Sequence, residues 1–260
     1  MNSVSSIPDN VRPILEKVVR DAPHPLLFAT VSGAHLYGFP SPDSDYDLRG
    51  VHILPKEQIV GLRELEETVS VSEDRDGIEL DLVTHDAKKF FQLMLKKNGY
   101  VLEQLLSPIV VHSGSGFQEL KEIAPSCVTR HHSHHYFGFS QTQWELAMKE
   151  TPTRVKPLLY VYRVLLTGIR LMRTGVFEMN LNKLNEEFRL SWLDELVRAK
   201  LEGHEKIGAA GLDLAFHQKE YERLRALLET SFAESRLPNE PSALPRLNDL
   251  LVRIRLGTIK

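Results

Sequence analysis

The sequence predicts an α+β protein in two parts: a mixed-sheet domain over residues 1–112 and a helical domain over residues 113–260. Three observations predict it. Short apolar runs bounded by Gly and Pro alternate with helical periods in the front half. From Ser113 onward helical periods dominate. The composition, 42% hydrophobic and 26% charged over 260 residues, supplies ample apolar material for a core and excludes disordered, collagen-like and disulfide-scaffold classes.

The elements follow in order. Val11, Ile14, Leu15, Val18 and Val19 recur at helical spacing after Asp9 and Asn10, which are placed to cap the first turn. Pro23 and Pro25 end that helix. Residues 25–32 then read as a buried strand stopping at Gly33, and residues 45–54 as a second strand stopped by Pro55. Residues 67–72 alternate as a half-exposed strand does; residues 73–77 form a turn, and residues 78–83 return as the partner. Asp86 caps a helix carrying Phe90, Phe91, Leu93, Met94 and Leu95, closed by Asn98-Gly99, with another helical piece around Leu102 and Leu105.

The second half predicts helices over 117–123, 133–149, 157–174, 191–202, 214–231 and 243–254, broken at Pro152, Pro157, Gly175, Gly203 and residues 237–245. No apolar run approaches the ~18–20 residues of a membrane span. The first ten residues carry no basic side chain and no hydrophobic stretch, so no secretory signal is expected there. The single cysteine, Cys127, excludes an internal disulfide and a Cys-based zinc cage. The expectation is a cytosolic protein.

Chemistry concentrates in one segment. Ser32-Gly-Ala-His-Leu-Tyr-Gly38 closes the first strand, and Ser44-Asp-Tyr-Asp-Leu-Arg-Gly50 opens the second. Asp45 and Asp47, two apart, project from one strand face while Tyr46 turns to the other. Two neighbouring carboxylates repel unless a cation joins them, and magnesium, a hard ion that keeps open positions for water and phosphate, suits such a pair. The glycines behind the first strand let backbone N–H groups approach a phosphate. Together these features predict a metal–triphosphate site. Asp81 is the natural third carboxylate, with Glu79 two residues earlier on the same face as the alternative. Arg49 shares the face of Asp47, where it would neutralise carboxylates, touch phosphate or form a plain salt bridge.

These residues resemble the Gly-Ser … Asp-x-Asp signature of the DNA polymerase β-like nucleotidyltransferase superfamily. More narrowly, residues 43–50 resemble the RNA-repair-associated predicted nucleotidyltransferases, the RlaP or YcgL-like family. The resemblance is clear over residues 26–106 and looser across the helical half. It implies a polymerase β-like palm, two metal ions (Mg2+, with Mn2+ as a substitute), attack of an acceptor hydroxyl on the α-phosphate of an NTP, and release of pyrophosphate. It assigns Asp45, Asp47 and Asp81 as metal-binding catalytic residues, and Gly33 to the phosphate-holding turn. An RNA 3′ end is the leading acceptor it implies; a protein side chain or small molecule is the alternative within the superfamily, and a non-catalytic nucleotide- or RNA-binding module is a third reading. One departure is visible: Ala34 stands where the superfamily has serine, and Ser32 is the nearest hydroxyl. A lost neutral hydrogen bond costs about 0.5–1.5 kcal/mol, enough to weaken triphosphate binding without abolishing it.

Three further features are weaker. Lys156, Arg163 and Arg170, seven residues apart on one predicted helix, form a basic stripe with Tyr160 and Arg173 nearby, suited to a triphosphate or an RNA backbone or to plain solvation. Charge is divided unevenly: residues 1–130 hold 13 Lys/Arg against 19 Asp/Glu, within a net charge of −3 for the chain. His131-His-Ser-His-His135 has the i,i+4 spacing of zinc ligands without a third partner in the motif, so a polar helix start is the simpler reading.

Overall fold

The computed structural model describes residues 7–149, 154–202 and 212–259, so the breaks expected at Pro152 and Gly203 lie outside the described residues. The chain forms two compact units. The first comprises Met1–Leu36, Asp45–Cys127 and Pro241–Lys260; the second comprises Tyr37–Ser44 and Val128–Glu240. The sheet-bearing unit therefore runs past residue 112 and takes in the C-terminal segment, where the sequence suggests one break at 112/113. Helical periodicity reports a helix but not the core that receives it, which is why these segments read as part of the helical half.

The first unit begins with helix α1 (Arg12–Arg20), strand β1 (Leu26–Val31) and the short α2 (Gly33–Tyr37), whose last residue belongs to the second unit. Next come β2 (Tyr46–His52), α3 (Lys56–Val60), β3 (Thr68–Arg75), β4 (Ile78–Asp86), α4 (Ala87–Met94), α5 (Gly99–Leu105), β5 (Val110–Ser113) and α6 (Phe117–Ile123). The strands form one mixed sheet in the order β3-β4-β2-β1-β5. Only β2 and β4 run parallel; the other neighbours are antiparallel. Strand β5 lies where the sequence places a domain boundary, and its four residues are too few to show a period.

All six residues of β1 are buried, because both sheet faces are covered. On one face Leu15, Val18 and Val19 of α1 join Ala29, Val31, Leu48, Leu80 and Leu82 in a single apolar cluster. On the other, the Phe28 ring meets Phe90 at 5.5 Å and Phe117 at 5.1 Å. Two caps differ from expectation. Val11, not Asp9 or Asn10, precedes α1, and no side chain caps that helix. Asn98 does not close α4; its side chain accepts from the Tyr100 N–H and so starts α5.

The second unit holds α7 (Ser133–Lys149), α8 (Val155–Thr174), α9 (Leu181–Phe188), α10 (Ser191–Leu201) and α11 (Leu214–Glu234). Helix α8 is its centre: fifteen of its twenty residues are buried, and α7, α9, α10 and α11 all touch it. The final helix, α12 (Leu244–Leu256), belongs to the first unit. Its Arg255 bonds both oxygens of Asp86 at 2.6 Å, and Asp86 also accepts from the Lys88 N–H, capping α4 as the sequence suggests. Among the described residues no helix is long and apolar enough to cross a membrane.

Candidate active site

Strand β2 carries the site because its residues alternate between two environments. Tyr46 and Leu48 enter the apolar cluster, while Asp47 and Arg49 occupy the half-buried face. Asp45 immediately precedes the strand and is also half-buried. The parallel ladder sets Asp47 opposite Asp81 on β4. Glu79 stands exposed, one step before the paired stretch begins at Leu80. Register therefore makes Asp81, rather than Glu79, the carboxylate beside Asp47.

The turn leaving β1 is built around Asp47. The Ser32 N–H donates to the Asp47 carbonyl at 2.8 Å, fixing the chain reversal. Gly33 follows at φ +60°, and a Cβ there would meet Asp47 Oδ2 at 1.9 Å. Glycine is thus required twice, for the left-handed backbone and for the room it leaves the carboxylate. Ser32 is 1% exposed, and its hydroxyl has no hydrogen-bond partner among the described residues. Ala34 is buried beside it and offers no donor from its side chain. His35 stacks on Tyr46 with ring centres 4.0 Å apart, pinning α2 to the sheet.

Arg49 occupies the centre of the carboxylate pair. Its Nη2 donates to Asp47 Oδ1 at 2.6 Å and to Asp81 Oδ2 at 3.0 Å. Nη1 donates to the Leu48 and Asp81 carbonyls, and Nε to the Tyr100 hydroxyl at 3.1 Å. Ser72 donates to the other Asp81 oxygen at 2.9 Å. Burial works against the Arg49 charge, but Tyr100, Asp47 and Asp81 more than offset it and hold the pKa above its ordinary value. Among the described residues no three His, Cys, Asp or Glu side chains gather closely enough to hold a metal ion. What the structure assembles is a two-carboxylate site neutralised by an arginine, with Asp45 close by in sequence.

Lys156 and Arg163 lie in the second unit. Lys156 is exposed at the start of α8. Arg163 is 1% exposed, its guanidinium 4.0 Å over the Tyr37 ring and 5.9 Å from Phe139. Arg170 pairs with Glu187, and Arg173 donates to Ser231. The seven-residue spacing therefore does not make a continuous basic face. The apolar surroundings of α8 wrap most of the helix, and the middle arginine is drawn into an aromatic nest. Gly38, the second glycine of the motif, also has a local duty. At φ +89° its missing Cβ leaves space for the Asn180 side chain, and its carbonyl accepts from Asn182 at 2.7 Å.

The histidine run forms a polar helix start. His132 is buried, its Nδ1 lies 3.2 Å from the Thr129 N–H, and the pair makes a capping box. His131 and His134 stack at 5.7 Å, and His134 also meets Phe232. Tyr100 and Ser72, which orient Arg49 and Asp81, escaped sequence reasoning. Their only signal is a register and a helix placement that appear after folding. Lys200 escaped too: it is buried and donates to Ser41 Oγ at 2.6 Å in the loop that precedes Asp45.

The uncharacterized protein MJ0002 of Methanocaldococcus jannaschii is 29% identical over 234 residues, 85% of this chain and 90% of its own. The uncharacterized protein YcgL of Bacillus subtilis is 26% identical over 227 residues, 81% and 84% respectively. Among solved structures, a nucleotidyltransferase-like protein from Exiguobacterium sibiricum matches 95% of this chain and 79% of its own at 11% identity and a TM-score of 0.31. The model of RlaP, the RNA repair pathway DNA polymerase beta family, matches residues 7–253, sheet and helices alike. The chain belongs to that family, RlaP, the RNA repair pathway DNA polymerase beta family.

Proposed function

We propose that the protein is a Mg2+-dependent nucleotidyltransferase that moves an NMP from an NTP to an acceptor hydroxyl, with an RNA 3′ end as the acceptor and pyrophosphate as the leaving group. The observation that carries the reading is the pairing of Asp47 with Asp81 across β2 and β4, directly beside the glycine turn at Gly33. The donors fit the ion in kind. Carboxylate oxygens of Asp45, Asp47 and Asp81 are hard ligands, and the absent Cβ of Gly33 leaves room for the Asp47 carboxylate to stand where it does. When bound, the divalent ions offset charge developing on the phosphoryl and pyrophosphate oxygens; Mn2+ substitutes for Mg2+.

The chain's own residues do the remaining work in this reading. Asp81 takes the proton from the attacking hydroxyl as its oxygen bonds to the α-phosphorus. The bond from that phosphorus to the bridging oxygen breaks, and the electron pair leaves with pyrophosphate. The backbone N–H groups of Gly33 and Ala34 serve the triphosphate, since that of Ser32 is taken by the Asp47 carbonyl, and Ser32 supplies the hydroxyl nearest to the one Ala34 lacks. Arg49 pairs with phosphate oxygens.

The test follows α-labelled NTPs with Mg2+, total RNA and cell extract, comparing wild type with Asp45→Ala/Asp47→Ala. Label on RNA that disappears in the variant is the expected outcome. Label on protein or a small molecule moves the acceptor but keeps the chemistry. A second reading, a non-catalytic nucleotide- or RNA-binding module, is favoured by Ala34 and by the absence of a three-ligand cluster among the described residues. NTP binding with no incorporation, unchanged in the double variant, would establish it.

A further inference from the structure

Arg49 has more to do than balance charge. Each of its three guanidinium nitrogens is engaged: Nε with the Tyr100 hydroxyl, Nη1 with two backbone carbonyls, and Nη2 with one oxygen of Asp47 and one of Asp81. Its side chain is 12% exposed, so these bonds are made largely out of water. Nη2 therefore holds one oxygen of each of two carboxylates assigned to the metal, at 2.6 and 3.0 Å. A guanidinium and a divalent cation cannot share those lone pairs. Two cations a few ångströms apart in a partly dry site also repel.

We propose that Arg49 is an internal cation that keeps a divalent metal ion off Asp47 and Asp81 until a triphosphate draws the guanidinium away. The proposal rests on the metal-site reading above and adds an order of events to it. A phosphate offers the planar fork two acceptor oxygens at once and carries the negative charge that replaces the carboxylates as its partner. Nucleotide therefore releases both carboxylates, and metal enters with nucleotide rather than before it. Tyr100, on α5, is the latch on the far side of the guanidinium: its hydroxyl holds Nε and so fixes the fork over the carboxylates.

The experiment measures Mn2+ binding by the loss of the free-ion EPR signal, first without nucleotide and then with a non-hydrolysable NTP analogue. The proteins are wild type, R49Q, R49K, Y100F and D47N/R49Q, each checked for folding by circular dichroism. R49Q is expected to bind Mn2+ about tenfold more tightly than wild type without nucleotide. R49K, which keeps the charge, should stay near wild type. Y100F, which loosens the latch, should tighten binding by about threefold. D47N/R49Q should lose the gain. The analogue should raise the affinity of wild type but scarcely that of R49Q. Equal Mn2+ affinity in wild type and R49Q, with binding lost in D47N/R49Q, would overturn the exclusion role and leave the metal site standing. No Mn2+ bound by any protein, with or without the analogue, sinks the metal-site reading itself. If R49Q does not fold, the comparison of Y100F with wild type decides, and unchanged affinity there overturns the proposal.

Discussion

Gly33 and Asp47 touch so closely that one hydrogen on the glycine does the work a methyl group would prevent: an added Cβ would lie 1.9 Å from Asp47 Oδ2. Gly33→Ala therefore meets two penalties. The left-handed φ of +60° costs an L-residue about 1–2 kcal/mol, and the clash pushes the carboxylate off the face it shares with Asp81. The expected result is a fall of a few degrees in Tm with a loss of nucleotide transfer of a hundredfold or more, on the order of 3 kcal/mol in transition-state stabilisation. A Gly33→Ala enzyme with normal transfer rates would show that Asp47 is not held where the chemistry needs it.

The pair of Asp86 and Arg255 fastens the last helix to the sheet domain. Asp86 is 1% exposed and serves three groups at once: the Lys88 N–H, the Leu54 N–H and Arg255. Arg255→Ala leaves a buried carboxylate that still caps α4 but has lost its counter-charge, which costs about 3–5 kcal/mol. Asp86→Asn keeps part of the cap and should cost less than Asp86→Ala, which removes cap and pair together. Urea unfolding of the three variants gives the order directly. Equal midpoints for all three would mean that the helix is held by apolar contacts of Leu247, Leu250 and Ile254 alone.

Much of the fold is legible because apolar spacing is a local property. The runs behind β1 and β2, the Asp86 cap and the long helices α7, α8 and α11 are all visible in residues that neighbour one another in sequence. The parts that are hidden depend on partners far along the chain. Helix α9 is almost all Asn, Lys and Glu on its outer side and is fixed by the Asn180 side chain accepting from Asn182 and Lys183, so its period is faint. Arg163 sits in a buried helix because aromatic faces replace water around it, and a residue type alone does not announce that. The candidate site divides the same way. Asp45 and Asp47 announce themselves through a two-residue spacing, whereas the Asp47–Asp81 pairing needs the parallel β2–β4 register and the grip of Arg49 needs Tyr100 from α5.

Acid should weaken the first unit through His52. The ring is 1% exposed, Nδ1 meets Thr84 Oγ1 at 2.9 Å, Nε2 has no partner among the described residues, and His24 stacks on it at 5.1 Å. Burial is the main cause that lowers its pKa from 6.5 to about 4. The folded state therefore favours the neutral ring, while the unfolded chain takes up a proton as pH falls past 6.5. The stabilisation is complete above pH 6.5 and is lost progressively down to about pH 4, with about 2 kcal/mol gone by pH 5. Urea midpoints at pH 7.5 and pH 5.0 should differ by less in His52→Gln than in wild type. An equal difference in both would assign the acid sensitivity to other groups, His132 first among them, since burial lowers its pKa to about 4 as well.

Lys156 and Arg163 should behave oppositely when removed, although their spacing groups them on one stripe. Lys156 is exposed, and its charge, with that of Lys200, helps hold the Asp43 carboxyl below its ordinary range, after the larger effect of a Ser41 hydrogen bond. Removing an exposed ammonium frees no buried group, so Lys156→Ala should leave the Tm within about a degree. Arg163 is enclosed by Tyr37 and Phe139, so Arg163→Ala empties a packed position and should cost about 3 kcal/mol or more in urea unfolding. Thermal unfolding of the two variants separates the roles. A Lys156→Ala protein that loses stability, or an Arg163→Ala protein that keeps it, would reverse the assignment.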